Sequence, residues 1–260
     1  MKTSPATVNN GCRIILPENI SDLNSKELLS DVRNSIKKSP AEIILDCSQL
    51  TQVVSSHINI LWQIRLDCDK ANISLKLESV PERLKRVLQI LDLYELFVQE
   101  SEEPVKLDQT EVTKGSIPEN AKFKTVFTSS SEQIGQALLQ FKKFLDNLAL
   151  PQVFSFELET VFYEVATNIR LYGEVRKSDQ IQFSIQPENN KLIMIFKYNG
   201  IHFDPTLYNY DFDPAETAKL RKKRGYGLTM IKRMTDSINY QRIGNSTNVL
   251  VLEKKLGNMP

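Results

Sequence analysis

Cysteine is scarce in this sequence. The three that occur, Cys12, Cys47 and Cys68, are odd in number, widely spaced and set among apolar residues. That pattern excludes a disulfide framework and fits buried thiols in a reducing compartment. Neither CxxC nor HExxH is present, so those zinc spacings are absent as well. Long apolar runs are missing: nothing approaches the roughly 18 residues of a membrane span, and "MKTSPATVNNG" has no apolar signal core. A soluble, cytoplasmic protein with no membrane segment is expected. Charge of one sign is missing too, because 33 Lys and Arg nearly cancel 32 Asp and Glu. No overall field therefore recruits nucleic acid or an anionic surface. A Walker A box and GxGxxG are absent, which leaves the P-loop and Rossmann routes to nucleotide unsupported, and no internal repeat joins the halves.

What is present is enough for two cores. At 260 residues and 41% apolar composition, two domains are expected. The stretch "ESEEPVKLDQTEVTKGSIPEN" has two prolines, one glycine and no aromatic residue, which reads as a tether. The division expected is 1–100, a linker over 101–122, and 123–260. Before the linker, short β-rich runs ("CRIIL", "AEIILDCS", "ISLKLESV") alternate with helical patterns ("SKELLSDVRNSIKK", "SSHINILWQIRLDCDKA", "PERLKRVLQILDLYELF"), the mark of an α/β layer fold. After it, two helical patterns come first, then strands, a long polar stretch, a helix and two closing strands.

In the carboxyl-terminal half, "FELETVFYEVATNIRLY" places Leu158, Phe162, Val165, Ile169 and Tyr172 on one helical face. Glu164 and Asn168 stand four apart at its shoulder, half buried, where a carboxylate can take a proton and a carboxamide can hold an oxygen-seeking ion such as Mg²⁺. A solvated helix edge is the plain alternative. "RGYGLTMIKRM" sets Gly225 and Gly227 ahead of a helix, with Arg221 to Arg224 upstream, so free amides and basic side chains could meet phosphates. A basic loop before an ordinary helix is the plain alternative there. Between them, "KYNGIHFDP" carries the Asn-Gly of a hairpin turn and an Asp-Pro turn.

The ordered set, Glu-x-x-x-Asn, then N-G with F-D-P, then R-G-x-G-L, resembles the histidine-kinase-like (GHKL, Bergerat-type) ATPase domain over about residues 123 to 256. Within it, the chain is similar to the anti-sigma-factor serine kinases. The resemblance implies an α/β sandwich that binds ATP and Mg²⁺. It makes Glu164 the general base toward a substrate serine and Asn168 the Mg²⁺ ligand. Arg224, Gly225, Gly227 and Leu228 would hold the phosphates, Gly200 and Phe203 would flank adenine, and Asn199 would belong to the same nucleotide-binding stretch. Tyr198 stands at the position of the family's Asp, which reads the adenine amine, and His202 stands where that family usually has glycine. A pocket that reads nucleotide in another manner, or has lost it, is implied.

In the amino-terminal half, "IILDCSQLTQVVSSHINILWQI" runs a buried strand, Ile43 to Leu45, into a loop and a helix presenting Ile58, Leu61, Ile64 and Cys68. A serine at Ser55 or Ser56 suits the cap of that helix. With "LDLYELF" near its end, the region from about 11 to 99 resembles the STAS domain of anti-sigma-factor antagonists. The likeness makes Ser55 the phosphorylatable serine, with Val54 at the usual Asp and His57 at the usual Gly. His57 and His202 read otherwise as packing or surface residues. One chain with both modules implies a fused partner-switching regulator acting mainly by docking. Its expected partners are a sigma factor or a STAS-type or kinase-type regulatory protein, with a homodimer as a further arrangement. The rival expectations are an active protein-serine kinase and a structural interaction protein unconnected with transcription.

Overall fold

The computed structural model describes residues 6–8, 11–18, 22–97, 121–148, 150–176, 178–207 and 226–256. The expected linker, 101–122, lies almost wholly outside them. The chain divides into two compact units, and both are α/β, as the alternation of runs implied.

The amino-terminal unit is built on a four-stranded sheet of order β1-β2-β3-β4. Its strands are β1 (Ala6–Val8), β2 (Gly11–Ile15), β3 (Glu42–Asp46) and β4 (Ser74–Glu78). β1 joins β2 antiparallel, whereas β2, β3 and β4 run parallel. Parallel neighbours need crossovers, and α1 (Asp22–Ile36) and α2 (Ser55–Lys70) supply them. Alternate strand positions, Ile14, Ile43, Leu45, Leu75 and Leu77, are buried, and α2 buries Ile58, Leu61, Ile64 and Cys68 at three- and four-residue spacing. Each such aliphatic side chain contributes about 1.5 to 3 kcal/mol by leaving water. The opposite sheet face is polar: Arg13 bridges Asp46 at 2.9 Å and Glu78 at 3.1 Å. α3 (Glu82–Ile90) and the single turn α4 (Tyr94–Phe97) close the unit, with Phe97 set edge-on to Trp62. All three cysteines are free thiols. Burial, aided by the Asp46 carboxylate, pushes Cys47 up to about 12, and burial with Asp69 and Asp67 pushes Cys68 up to about 11, so neither thiol is reactive.

The carboxyl-terminal unit holds an antiparallel five-stranded sheet of order β5-β6-β7-β9-β8. The strands are β5 (Phe123–Thr128), β6 (Gln180–Glu188), β7 (Lys191–Asn199), β8 (Ser237–Ile243) and β9 (Thr247–Lys255). Two helices, α5 (Ser131–Asp146) and α6 (Gln152–Tyr172), follow β5, and α7 (Tyr226–Met234) precedes β8. Phe162 of α6 meets Phe183 edge-on at 4.7 Å, and Phe141, Phe127 and Phe196 complete an aromatic core between helices and sheet. Edge-on rings add about 0.5 to 1.5 kcal/mol beyond their buried area. The β6–β7 hairpin turns at Asn189 and Asn190, with φ of 48° and 61°. Asn tolerates that region, and two such residues in a row make the turn that matches strand twist.

A buried ion pair ties the sheet to the helices. Lys254 Nζ lies 2.6 Å from Glu157 Oε2, donates to the Met234 carbonyl at 2.9 Å, and sits 4.9 Å from the Phe154 ring centroid. β9, α6 and the end of α7 thus share one desolvated cation.

Candidate functional site

The quoted stretch "KYNGIHFDP" does not form a hairpin. β7 ends at Asn199, the backbone bends through Gly200 and Ile201, and a 3₁₀ turn follows at Pro205–Leu207. Tertiary contacts hold the bend. Ile201 N donates to the carbonyl of Gly173, just past α6, and Gly200 N donates to Ser246 O, each at 3.0 Å. A Cβ on Gly200 would lie 2.2 Å from Gly173 O, so close backbone approach explains this glycine. Asp204 Oδ1 accepts from Thr206 N at 2.8 Å and from Thr206 Oγ1 at 2.6 Å, which makes Asp-Pro the start of the 3₁₀ turn.

The bend is the floor of a cavity. Val165, Asn168 and Ile169 of α6, Tyr198 of β7, Phe203 and Pro205 of the bend, and Leu228 and Ile231 of α7 line it, together with Ile238 and Leu250. Four of the expected residues, Asn168, Tyr198, Phe203 and Leu228, therefore meet at one place. Glu164 stands one turn before Asn168, but it is buried at 2% exposure rather than half buried, and it is not a lining residue. The strictly amphipathic reading missed this because Phe156 to Phe162 are buried on every side of α6. Asn199 is exposed and accepts from Thr247 Oγ1 at 2.9 Å, outside the cavity. Gly227 is buried in the first turn of α7. Arg224 and Gly225, with the basic run before them, lie outside the described residues.

The cavity is partly open, and about 20 Å³ of it can take the centre of a water-sized sphere, where one buried water needs roughly 10 to 15 Å³. Tyr198 is 3% exposed. Burial raises its phenol above the ordinary value, with Tyr240 and Asp204 adding to the rise and Arg242 opposing it, so it stays neutral. Among the described residues the Nδ2 atom of Asn168 is buried without a hydrogen-bond partner. Such an orphan costs about 1 to 3 kcal/mol and marks a position where a polar atom is wanted. The Asn168 end of the cavity fits a ligand or a bridging water, and the Tyr198 end presents a neutral phenol. Phe203 stacks on Tyr172 at 5.9 Å.

Behind the floor lies a polar cluster that sequence reasoning missed. Asn248 is fully buried opposite Tyr198 in the ladder. Its Oδ1 accepts from Tyr240 Oη at 2.6 Å and Arg242 Nη1 at 2.8 Å, and its Nδ2 donates to Ile201 O at 3.1 Å. Arg242 also donates to Gly200 O at 3.3 Å and to Asn245 O. These bonds fix the carbonyls of the bend. A signal existed: in "NVLVLEKK" the buried phase is Asn248, Leu250, Leu252, Lys254, and polar residues in that phase need partners.

In the amino-terminal unit, the helix start is arranged differently from the expectation. The cap position of α2 is Val54, with φ −128° and ψ 168°, and Ser55 is the first helical residue, half buried. A valine side chain caps nothing. The Val54 N–H instead donates to His57 Nδ1 at 3.2 Å, and His57 Nε2 lies 3.3 Å from Glu18 O. His57 is thus buried rather than a surface residue, whereas His202 is exposed and sets its edge against Tyr240 at 5.4 Å. Among the described residues, no group of three or more His, Cys, Asp or Glu could hold a metal ion, and no helix is long and apolar enough to cross a membrane.

With this geometry in place, residues 5–112 match the family model described as STAS domain, and residues 127–254 match that described as histidine kinase-like ATPase domain. No curated protein matches the chain. Among solved structures, the SiaB-SiaC complex from Pseudomonas aeruginosa is similar at 13% identity, covering 51% of this chain and 88% of that one, with a TM-score of 0.39. The Acinetobacter baumannii histidine kinase AdeS is similar at 11% identity over 91% of this chain and 97% of that one, with a TM-score of 0.35.

Proposed function

We propose that this chain, which joins a STAS domain to a histidine kinase-like ATPase domain, is a partner-switching regulator that works by docking onto other regulatory proteins rather than by turning over ATP. The partner classes are a sigma factor and STAS-type or kinase-type regulators. The observation that carries the reading is Tyr198: a buried, neutral phenol lining the cavity where the resemblance places the adenine-reading carboxylate. Titration calorimetry of the full chain with Mg²⁺ and ATP or GTP tests it. The parent should bind both nucleotides weakly or not at all, without preference. Tyr198→Asp should gain about 1 to 3 kcal/mol for ATP, roughly ten- to a hundredfold in affinity. Tight, ATP-selective binding by the parent that is lost in Asn168→Ala would overturn it.

Ser55, at the start of α2, is the partner-facing residue on this reading. Ser55→Asp should weaken contact with a kinase-type partner by repulsion and desolvation, and Ser55→Ala should leave it largely intact. Equal binding by both variants would remove the switch role.

One observation favours the second reading, an active protein-serine kinase. Glu164 and Asn168 are retained one turn apart, and among the described residues the Asn168 Nδ2 is buried unpaired at the cavity. On that reading Glu164→Gln abolishes phosphate transfer to a STAS-type serine.

A further inference from the structure

A helix start leaves backbone N–H groups without partners, and the third helical residue often reaches back to satisfy the one at the cap. Glu or Gln usually does this. In α2 the third residue is His57, and its Nδ1 accepts from the Val54 N–H at 3.2 Å. An accepting Nδ1 carries no hydrogen, so Nε2 carries it and donates to the Glu18 carbonyl at 3.3 Å. Both ring nitrogens are used, and only the neutral ring with hydrogen on Nε2 satisfies both bonds.

The ring is 2% exposed and joins three pieces of chain: the segment after β2 through Glu18, the cap at Val54, and the helix that begins at Ser55. A second bond ties the first two pieces, since Thr51 Oγ1 donates to Glu18 Oε1 at 2.5 Å. The Glu18 carboxylate is therefore engaged by Thr51, and Glu18 meets the ring through its main-chain oxygen. Among the described residues no charged side chain acts on the ring: burial lowers its proton affinity, opposed by the backbone bonds to Glu18 and Val54. Protonation would put a second N–H against the Val54 N–H. Two donors cannot share that contact, so the cap must open or the ring must leave its buried place.

We infer that His57 is a positioning residue for the Ser55 face: its neutral ring locks the cap ahead of Ser55, and its protonation releases that turn. Val54 and His57, which replace the Asp and Gly of the STAS pattern, thus work as a pair in which the ring does what the missing side-chain cap would do. The role given to the Ser55 face rests on the docking reading above, but the latch itself does not.

Amide hydrogen exchange at Val54, followed by NMR on the full chain between about pH 7.5 and about pH 5.5 and corrected for intrinsic exchange, tests the latch. In the parent, Val54 protection should fall about tenfold as His57 titrates. In His57→Asn, whose Oδ1 takes the place of Nδ1 and cannot titrate, protection should persist at every pH. In His57→Leu, which offers the Val54 N–H no acceptor, protection should be low throughout. Parent protection that does not change with pH, or an equal fall in His57→Asn, would overturn the inference. Trp62 emission reports that each variant is folded. Failure of the Ser55→Asp test with the Val54 profile as expected would remove the docking role and leave the latch.

Discussion

The two candidate sites both depart from the pattern of their families, and they differ in what surrounds the departure. At the start of α2, Val54 brings no cap, but His57 takes its N–H and a second loop is tied in through Glu18. At the floor of the carboxyl-terminal cavity, Tyr198 brings a neutral phenol in place of a carboxylate, the nearby Asp204 carboxylate is bonded to Thr206, and the Asn168 Nδ2 has no hydrogen-bond partner among the described residues. The first departure has its lost bond replaced locally and the second does not, and the docking role proposed above rests on that contrast.

The largest test of the contrast is to strain the scaffold. Lys254→Met removes the cation that Glu157 and the Met234 carbonyl share, and takes its ion-pair partner from the buried Glu157 carboxylate. Such a loss costs about 3 to 5 kcal/mol, read as reduced hydrogen-exchange protection of the β9 amides. An effect under about 1 kcal/mol would mean the pair is not desolvated. A smaller effect is expected at the floor itself. Gly200→Ala sets a Cβ against the Gly173 carbonyl, a backbone atom that cannot swing aside. Overpacking of this kind costs about 1 to 3 kcal/mol, and the Ile201 amide should lose protection with it.

The smallest effect separates the two sites by pH. Burial holds His57 below its ordinary 6.5 in the folded chain. Between that lowered value and 6.5 the unfolded chain binds more protons, so the His57 contribution is complete above 6.5 and is lost as pH falls through the folded value. One proton limits the slope to about 1.4 kcal/mol per pH unit. Urea unfolding followed by Trp62 emission should show the loss in the parent and not in His57→Asn. The Tyr198 floor should be indifferent over the same range, because its phenol is held neutral well above it.

By itself, the sequence determined the elements and their buried faces. Ile58, Leu61, Ile64 and Cys68 repeat at helical spacing, and Leu75 and Leu77 alternate, because a helix or strand with one apolar face has only one way to hide it. The resemblance to the histidine-kinase-like pattern, rather than the apolar periodicity, grouped Asn168, Tyr198, Phe203 and Leu228, and these four line the cavity. Tertiary structure alone decided the rest. Asn199-Gly200 has the chemistry of a hairpin turn, yet it bends against Gly173 because β7 is held between β6 and β9, while the hairpin falls at Asn189-Asn190. Glu164 looked like a helix edge, but the neighbouring elements bury it. The bonds from Asn248 to Tyr240, Arg242 and Ile201, and from His57 to Val54 and Glu18, include partners distant in sequence. A hydrogen bond needs its two atoms within about 3 Å. Local pattern gives the direction in which a side chain points, but only the folded chain brings a second atom to meet it.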